Sequence, residues 1–307
     1  MTNTKPAPVI VDIDKCLSCS GHEFKELYES TFNGSPEEAI PYFLTDRIAS
    51  VHGQIMVCTG CGFVFTNPQF TPAAYNYIYS QVTSIGGDSA RSQVRSDRFQ
   101  RHRAHVESYA NTGKFLDIGA GDGGFLDAMS STTFDGVGFD VREDTIDDTQ
   151  TRTDIVVASP TESLIDVRDK FDLPFDFITA WDVLEHLADI ENYMTAIREM
   201  IKPGGYFFAT VPNINSVAAR IGKSRWNCML LEHLWYFSPQ TYEAFCRRFD
   251  MEVIHVEVIG YPADVGTIST RLSQMVPGFS LNPPNWLSQR AFTLPIGLMF
   301  VVCKVPD

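Results

Sequence analysis

The chain has 307 residues, enough for one full-sized α/β domain plus a small module, since domains usually hold roughly 100 to 200 residues. Its 38 acidic against 24 basic side chains give a formal charge of −14, which argues against a phosphate-backbone binder and makes nucleic acid a poor partner. No apolar run approaches the roughly 20 residues needed to span a bilayer, and the start Met1-Thr-Asn-Thr-Lys-Pro has no signal-peptide core, so the expectation is no membrane partner and a cytoplasmic location.

The first element in chain order is a pair of Cys-x-x-Cys knuckles, Cys16/Cys19 and Cys58/Cys61. Two thiolates of one tight knuckle can reach the same ion, and two knuckles supply the four sulfur ligands of a structural Zn²⁺ site. Such a closed site leaves no position for substrate, so the metal would be structural. Two disulfides, or four cysteines used as small core residues, are the alternatives. Gly62 and Gly21, close behind the knuckles, add backbone freedom. Cys228, Cys246 and Cys303 are scattered without a pairing pattern, as in a reducing compartment. The knuckles set a module over residues 1–70, with a long insertion that reads as a short helix or loop around Ser35 to Leu44, a strand from Ile48 to Val57 and another at Phe63 to Phe65.

From Thr71 to Asn111 the pattern is polar and helical, with Tyr75, Ile78 and Tyr79 at helical spacing and an Arg-rich stretch from Arg91 to Arg103. Residues 71–112 therefore read as a helical linker over the cofactor site; the arginines form either a solvated face or an anion contact. After Lys114, short apolar strands alternate with helices: Lys114 to Ile118, Gly136 to Asp140, Asp154 to Ala158, Asp176 to Trp181 and Tyr206 to Val211. This is the mark of a mostly parallel sheet covered on both faces, an α/β doubly wound domain over 113–307. A helix from Ile190 to Ile201 ends at the stop signal Lys202-Pro-Gly-Gly205. Two last strands, Glu252 to Ile259 and Leu298 to Lys304, lack a clear crossover helix and can pair antiparallel. The proline-rich segment of about 261–295 between them, with Trp286, reads as a lid or an interface.

The turn Phe115-Leu-Asp-Ile-Gly-Ala-Gly-Asp-Gly-Gly-Phe125 follows the first strand of this domain and satisfies the dinucleotide spacing G-x-G-x-x-G at Gly119, Gly121 and Gly124. Three features favour S-adenosylmethionine instead. Asp117 at the strand end would repel a pyrophosphate but attract an ammonium group. Asp140, at the end of the second strand, can accept both ribose hydroxyls, a feature shared with NAD. The third is the segment Phe175-Asp-Phe-Ile-Thr-Ala-Trp-Asp-Val-Leu-Glu-His-Leu187, followed by Ile201-Lys-Pro-Gly-Gly-Tyr206.

On these motifs the stretch from about Lys114 to Asn213 resembles the class I S-adenosylmethionine-dependent methyltransferases. The resemblance implies a Rossmann-like seven-stranded sheet closed by an antiparallel hairpin. It further implies that Asp117, Gly119, Gly121 and Gly123 hold the methionine end, Asp140 the ribose, Val141 the adenine face and Ser159 the adenine edge, with Ala180 and Trp181 beside the sulfonium. Cysteine knuckles before such a core, then Phe63-Val-Phe-Thr-Asn-Pro68, are similar to the zinc-bearing methyltransferases of sugars and natural products. In the sugar C-methyltransferases a Glu-His pair follows the fifth strand, the His acting as base; here it is Glu232-His233. That family's Tyr three positions before the His is Leu230, and its further carboxy-terminal domain has no counterpart in the 307 residues.

The expected function is therefore methyl transfer to a hydroxyl of a sugar, nucleotide sugar or related small metabolite, a sugar-like small-molecule partner. C-methylation of a keto-deoxysugar nucleotide, and a non-catalytic binding protein on the same fold, are the alternatives. His233 would take the acceptor's proton, with Glu232 orienting it, or else His233 would only order the Trp235-Tyr-Phe segment. Lys223, Arg225 and Trp226 either bind an anion and stack a ring or form a solvent-facing loop. His186 carries no catalytic assignment.

Overall fold

The computed structural model describes residues 9–43, 51–81, 89–141, 154–158, 162–260, 262–275, 278, 282–284, 287, 291–293 and 297–307. In chain order these hold β1 (Ile10–Val11), β2 (Phe24–Tyr28), α1 (Pro36–Phe43), β3 (Ile55–Cys58), β4 (Val64–Thr66), β5 (Gln69–Phe70), α2 (Pro72–Gln81) and α3 (Ser89–Glu107). Then follow β6 (Gly113–Ile118), α4 (Gly124–Met129), β7 (Phe134–Asp140), β8 (Ile155–Val157), β9 (Phe175–Trp181), α5 (Ile190–Met200), β10 (Ile201–Pro212) and α6 (Val217–Gly222). The chain continues through β11 (Trp235–Tyr236), α7 (Pro239–Arg247), β12 (Glu252–Ile259), β13 (Pro262–Asp264), α8 (Val265–Met275), β14 (Ala291–Thr293) and β15 (Leu298–Lys304).

The main sheet has seven strands in the order β12-β15-β10-β9-β6-β7-β8. Its pairs from β10 to β8 are parallel, while β15 runs antiparallel to both β10 and β12. The antiparallel pairing expected of the last two strands is thus present. Between them, β13 and β14 make a small ribbon of their own and α8 lies against the turn Lys223–Arg225. Trp286 and Ile48 lie outside the described residues. One strand is longer than its sequence pattern suggests: β10 begins at Ile201, directly after α5, and a register irregularity between Ile201 and Tyr206 absorbs Pro203 and the two glycines.

Alternation along the strands sorts the core into two layers. Ile178, Ala180, Phe207, Ala209 and Val301 face one way, toward α5 and α7. Their neighbours Phe177, Trp181, Phe208 and Phe300 face the other way, toward α3 and α4. Strand β9 is central and covered on both faces, which is why Phe175-Asp-Phe-Ile-Thr-Ala-Trp181 is nearly continuous in apolar residues.

The front sheet has the order β11-β4-β3-β2, so its fourth strand comes from residues 235–236, far along the chain. Trp235 pairs with Phe65 and Tyr236 with Val64. Phe63, Phe65 and Trp235 pack with Phe237 and Tyr242 in the same cluster as Cys16, Cys58 and the α5 face of the main sheet. Front module and main sheet share one core here, and the segment after Glu232-His233 is the seam between them. On the far side, α2 packs on α1 through Phe43, Tyr75 and Tyr79.

Candidate active site and thiol cluster

The chain leaves β6 to one side of the sheet, through β7 and β8, and returns to the other side at β9. The crevice at the carboxyl ends of β6 and β9 is therefore the topological switch point, where open α/β sheets bind ligands. The glycine turn lines it. Gly119, Gly121 and Gly123 have φ of 71°, 58° and 84°, a left-handed conformation that glycine adopts without strain. A Cβ on Gly119 would stand 2.5 Å from Val183 Cγ2, so the backbone must stay bare there. The amides of Gly119 and Ala120 both donate to the Phe139 carbonyl, which ties the turn to β7.

Three carboxylates ring the crevice. Asp117 is 2% exposed and accepts a hydrogen bond from Thr179 Oγ1 at 2.6 Å. Asp140 accepts from the Gly121 amide at 2.8 Å, so the residue expected to meet the ribose also braces the glycine turn. Asp182, just past β9, has φ of 56°, accepts from Thr210 Oγ1 at 2.7 Å and pairs with Arg98 of α3 at 3.3 Å. A bare cradle edged by carboxylates fits a ligand carrying an ammonium, a sulfonium and a ribose diol, and it opposes a pyrophosphate. Val141 borders this end, half-buried. Ser159 lies outside the described residues. Ala180 and Trp181 do not line one wall together: alternation turns Ala180 to the α5 side and Trp181 to the α3 side. Trp181 is packed flat against the buried imidazole of His102, at 4.2 Å and 1°. Burial, with Arg98, His105 and Arg101 adding their charge, holds His102 well below the usual histidine range.

His233, in the loop before β11, is 7% exposed. Its Nδ1 lies 2.8 Å from the Cys228 carbonyl, which can only accept, so the proton sits on Nδ1 and Nε2 carries the lone pair. The His233 carbonyl accepts from Thr66 Oγ1 at 2.9 Å, and the Leu234 amide donates to the Glu185 carbonyl at 2.7 Å. These bonds fasten the Glu232-His233 turn to the front sheet on one side and to the end of β9 on the other. The ring of His186 meets that of His233 edge to face at 4.6 Å, and Tyr79 Oη lies 3.3 Å from His186 Nδ1. Glu185 is 1% exposed, and among the described residues its Oε2 has no hydrogen-bond partner. Burial pushes the Glu185 carboxyl well above the usual range, with the charges of Asp182 and Glu232 adding to it. Glu232 itself is half-buried; its charge adds to burial in raising the Tyr75 and Tyr236 phenols.

Glu185, His186, Tyr79 and Arg98 had no site assignment from sequence. The signal available for the first two was position, immediately past the carboxyl end of a central strand. His186 sits in a single 3-10 turn, Leu184–His186, not on a long helix. Trp226 cannot stack a ligand ring: it is wholly buried with Ile55, Ala218, Met229 and Tyr236. Lys223 and Arg225 are exposed.

The four knuckle cysteines converge. Cys16 Sγ and Cys61 Sγ lie 3.6 Å apart, as do Cys19 Sγ and Cys58 Sγ, and all four sulfurs fall within 4.8 Å of one another. Disulfide sulfurs stand about 2.05 Å apart, whereas four thiolates about 2.3 Å from one tetrahedral Zn²⁺ stand about 3.8 Å apart. The arrangement can hold a metal ion as it stands. Gly62, with φ of 79°, lets its amide donate to the Cys58 carbonyl at 2.9 Å and closes the second knuckle.

A family model described as a methyltransferase domain matches residues 94–256, just over half of the chain. The chain belongs to this methyltransferase family. This family agrees with the motif reading of a methyltransferase domain. Among curated relatives, the ubiquinone biosynthesis O-methyltransferase of Brucella melitensis is 33% identical over 106 residues, 33% of this chain and 41% of that protein. The enzyme of the same name from Photorhabdus laumondii is 28% identical over 108 residues, 34% of this chain and 45% of that protein. The chain thus spans less than half the length of these relatives. Among solved structures, a SAM-dependent methyltransferase from Archaeoglobus fulgidus is similar with a TM-score of 0.48 and 17% identity, over 68% of this chain and 94% of that one. One from Mesorhizobium loti has a TM-score of 0.43 and 16% identity, over 68% and 99%. Among the described residues, no helix is long and apolar enough to cross a membrane.

Proposed function

We propose that this methyltransferase transfers a methyl group to a hydroxyl of a sugar or related small metabolite, and that the Glu232-His233 turn handles the acceptor. S-adenosylmethionine supplies an electrophilic methyl group on a sulfonium. In this reading Asp117, the glycine turn and Asp140 bind it, with Val141 toward adenine; Ala180 and Trp181 support the crevice from opposite faces of β9. The acceptor oxygen must shed its proton as the new bond forms, and holding it in line with the leaving sulfur supplies much of the acceleration. The observation that carries the acceptor assignment is the tautomer of His233: the Cys228 carbonyl takes the Nδ1 proton, which puts the ring's lone pair on Nε2, and the ring stands edge to face with that of His186.

Support for a polyhydroxylated acceptor comes from a cleft of about 480 Å³ in the front module. Glu26, Ser30, Asn33, Gln54 and Gln69 offer hydrogen bonds there against Phe32, Phe70 and Tyr75, and Leu231 carries its wall to Glu232. That mix of hydroxyl-binding groups and aromatic faces suits a sugar. The four cysteines are proposed as a structural Zn²⁺ site that sets the front sheet against Trp235, with the front module as a unit of residues 1–70.

The test is calorimetric titration of the metal-analysed protein with S-adenosylmethionine and, separately, with NAD, followed by turnover on a panel of sugars and nucleotide sugars. Binding of the sulfonium cofactor alone is expected; binding of NAD alone would overturn the reading. His233→Ala is expected to lower turnover by about 10²- to 10⁴-fold while the cofactor Kd stays within about twofold. Full activity in that variant removes His233 from the mechanism.

A further inference from the structure

We propose that Glu185, His186 and His233 form a binding site for a first-row divalent cation. One carboxylate oxygen and one nitrogen from each imidazole lie within 4.8 Å of one another. The three residues come from two segments about 47 positions apart, drawn together by the bond from the Leu234 amide to the Glu185 carbonyl. Two imidazoles and one carboxylate form a donor set that first-row divalent ions accept, with coordination positions left open for other ligands.

Two further observations point to an ion. Glu185, a member of the cluster, is 1% exposed, and among the described residues its Oε2 has no hydrogen-bond partner. A buried oxygen in that state has given up its hydration without a replacement bond, a deficit that coordination would remove. Both imidazoles also have outer partners on their Nδ1 atoms: the Cys228 carbonyl at 2.8 Å for His233, and Tyr79 Oη at 3.3 Å for His186. Metal-binding histidines are oriented in this way, with the far nitrogen anchored and the other turned to the ion.

The cation's role rests on the methyl-transfer reading above; the binding itself does not. A hydroxyl coordinated to the ion ionises more readily. Its proton would pass to Glu232, and the oxygen's electron pair would then form the bond to the methyl carbon as the sulfur leaves with the old bond's pair. His233 is in that case a ligand, and its lone pair serves the ion.

The full chain, stripped with chelator and dialysed, is titrated with Mn²⁺ alone, and unbound Mn²⁺ is read from its electron paramagnetic resonance signal. Thiolates discriminate against Mn²⁺, which keeps the cysteine cluster out of the readout. One Mn²⁺ per chain is expected, with affinity at least about tenfold weaker in Glu185→Gln and in His186→Asn. No stoichiometric uptake by the wild type, or equal uptake by the variants, overturns the site. Melting curves accompany each variant, and His233→Asn replaces any that fails to fold. Calorimetry with S-adenosylmethionine on the same samples separates the two readings. Cofactor binding without Mn²⁺ uptake removes the cation site and leaves methyl transfer; Mn²⁺ uptake without cofactor binding does the reverse.

Discussion

The two sides of the crevice are built in different ways. The proposed cofactor side is local: Asp117, Gly119, Gly121 and Gly123 fall within seven consecutive positions, and Asp140 is one crossover away and bonded straight back to Gly121. The proposed acceptor side is assembled from α2, the turn after β9, the loop 228–234 and the front sheet, through Tyr79, His186, His233 and Thr66. A local site should survive damage elsewhere in the molecule, while an assembled one should fail with any part of its frame. Mutations far from the crevice can therefore separate the two.

The largest effect is expected from Cys58→Ser. If a structural ion holds the four thiolates, losing one ligand removes binding free energy that is also folding free energy, on the order of 5 kcal/mol or more. Metal content by mass spectrometry should fall, and amide exchange in β2, β3 and β4 should accelerate. The comparison sharpens if acceptor turnover collapses while S-adenosylmethionine still binds. Unchanged metal content and melting would remove the zinc reading.

Trp235→Ala comes next. Trp235 is 2% exposed, packs on Phe63 and Phe65, and donates from Nε1 to the Leu187 carbonyl at 2.8 Å. Truncating such a side chain costs about 3–5 kcal/mol. Because the same residue pins β11 to β4, two positions after His233, kcat should drop further than the cofactor Kd rises. Equal losses in both would mean that the two sides are one cooperative unit.

How far the sequence reveals each side follows from the same contrast. The seven-stranded sheet was readable because its strands are short apolar runs whose neighbours along the chain are mostly neighbours in space. The glycine turn was readable because its conformation is set by consecutive residues. Glu185 and His186 were in plain view in the quoted motif, yet nothing local says that His233 returns to meet them; that depends on the Leu234 amide reaching the Glu185 carbonyl. Trp226 misled for the converse reason, since an aromatic beside Lys223 and Arg225 reads as a ligand platform until α6 and the front sheet bury it. The fourth front strand, Trp235–Tyr236, is two residues long and pairs with a segment some 170 positions earlier, beyond any local pattern.

A moderate effect confined to the cofactor side is expected from Asp140→Asn. A hydrogen bond to a charged group contributes about 1.5–3 kcal/mol, and here the carboxylate both braces the Gly121 amide and is proposed to accept from ribose. The S-adenosylmethionine Kd should rise roughly tenfold to hundredfold, with the acceptor KM unchanged. A matching rise in acceptor KM would break the distinction between the two sides.

The smallest effect is expected from Arg98→Ala. Arg98 and Asp182 pair at 3.3 Å with side chains about a quarter exposed, and such pairs contribute about 0–1 kcal/mol. Phe99, the next residue, is buried against Phe125 and anchors α3 by packing, so the helix should stay in place. Asp182 keeps its bond from Thr210. Melting should change by no more than a few degrees, and cofactor affinity by less than about tenfold, the equivalent of 1.4 kcal/mol. A loss of a hundredfold or more would make Arg98 a direct contact of the cofactor. The cofactor side would then also depend on a residue from outside the sheet, brought in by α3, and the division between a local half and an assembled half would no longer hold.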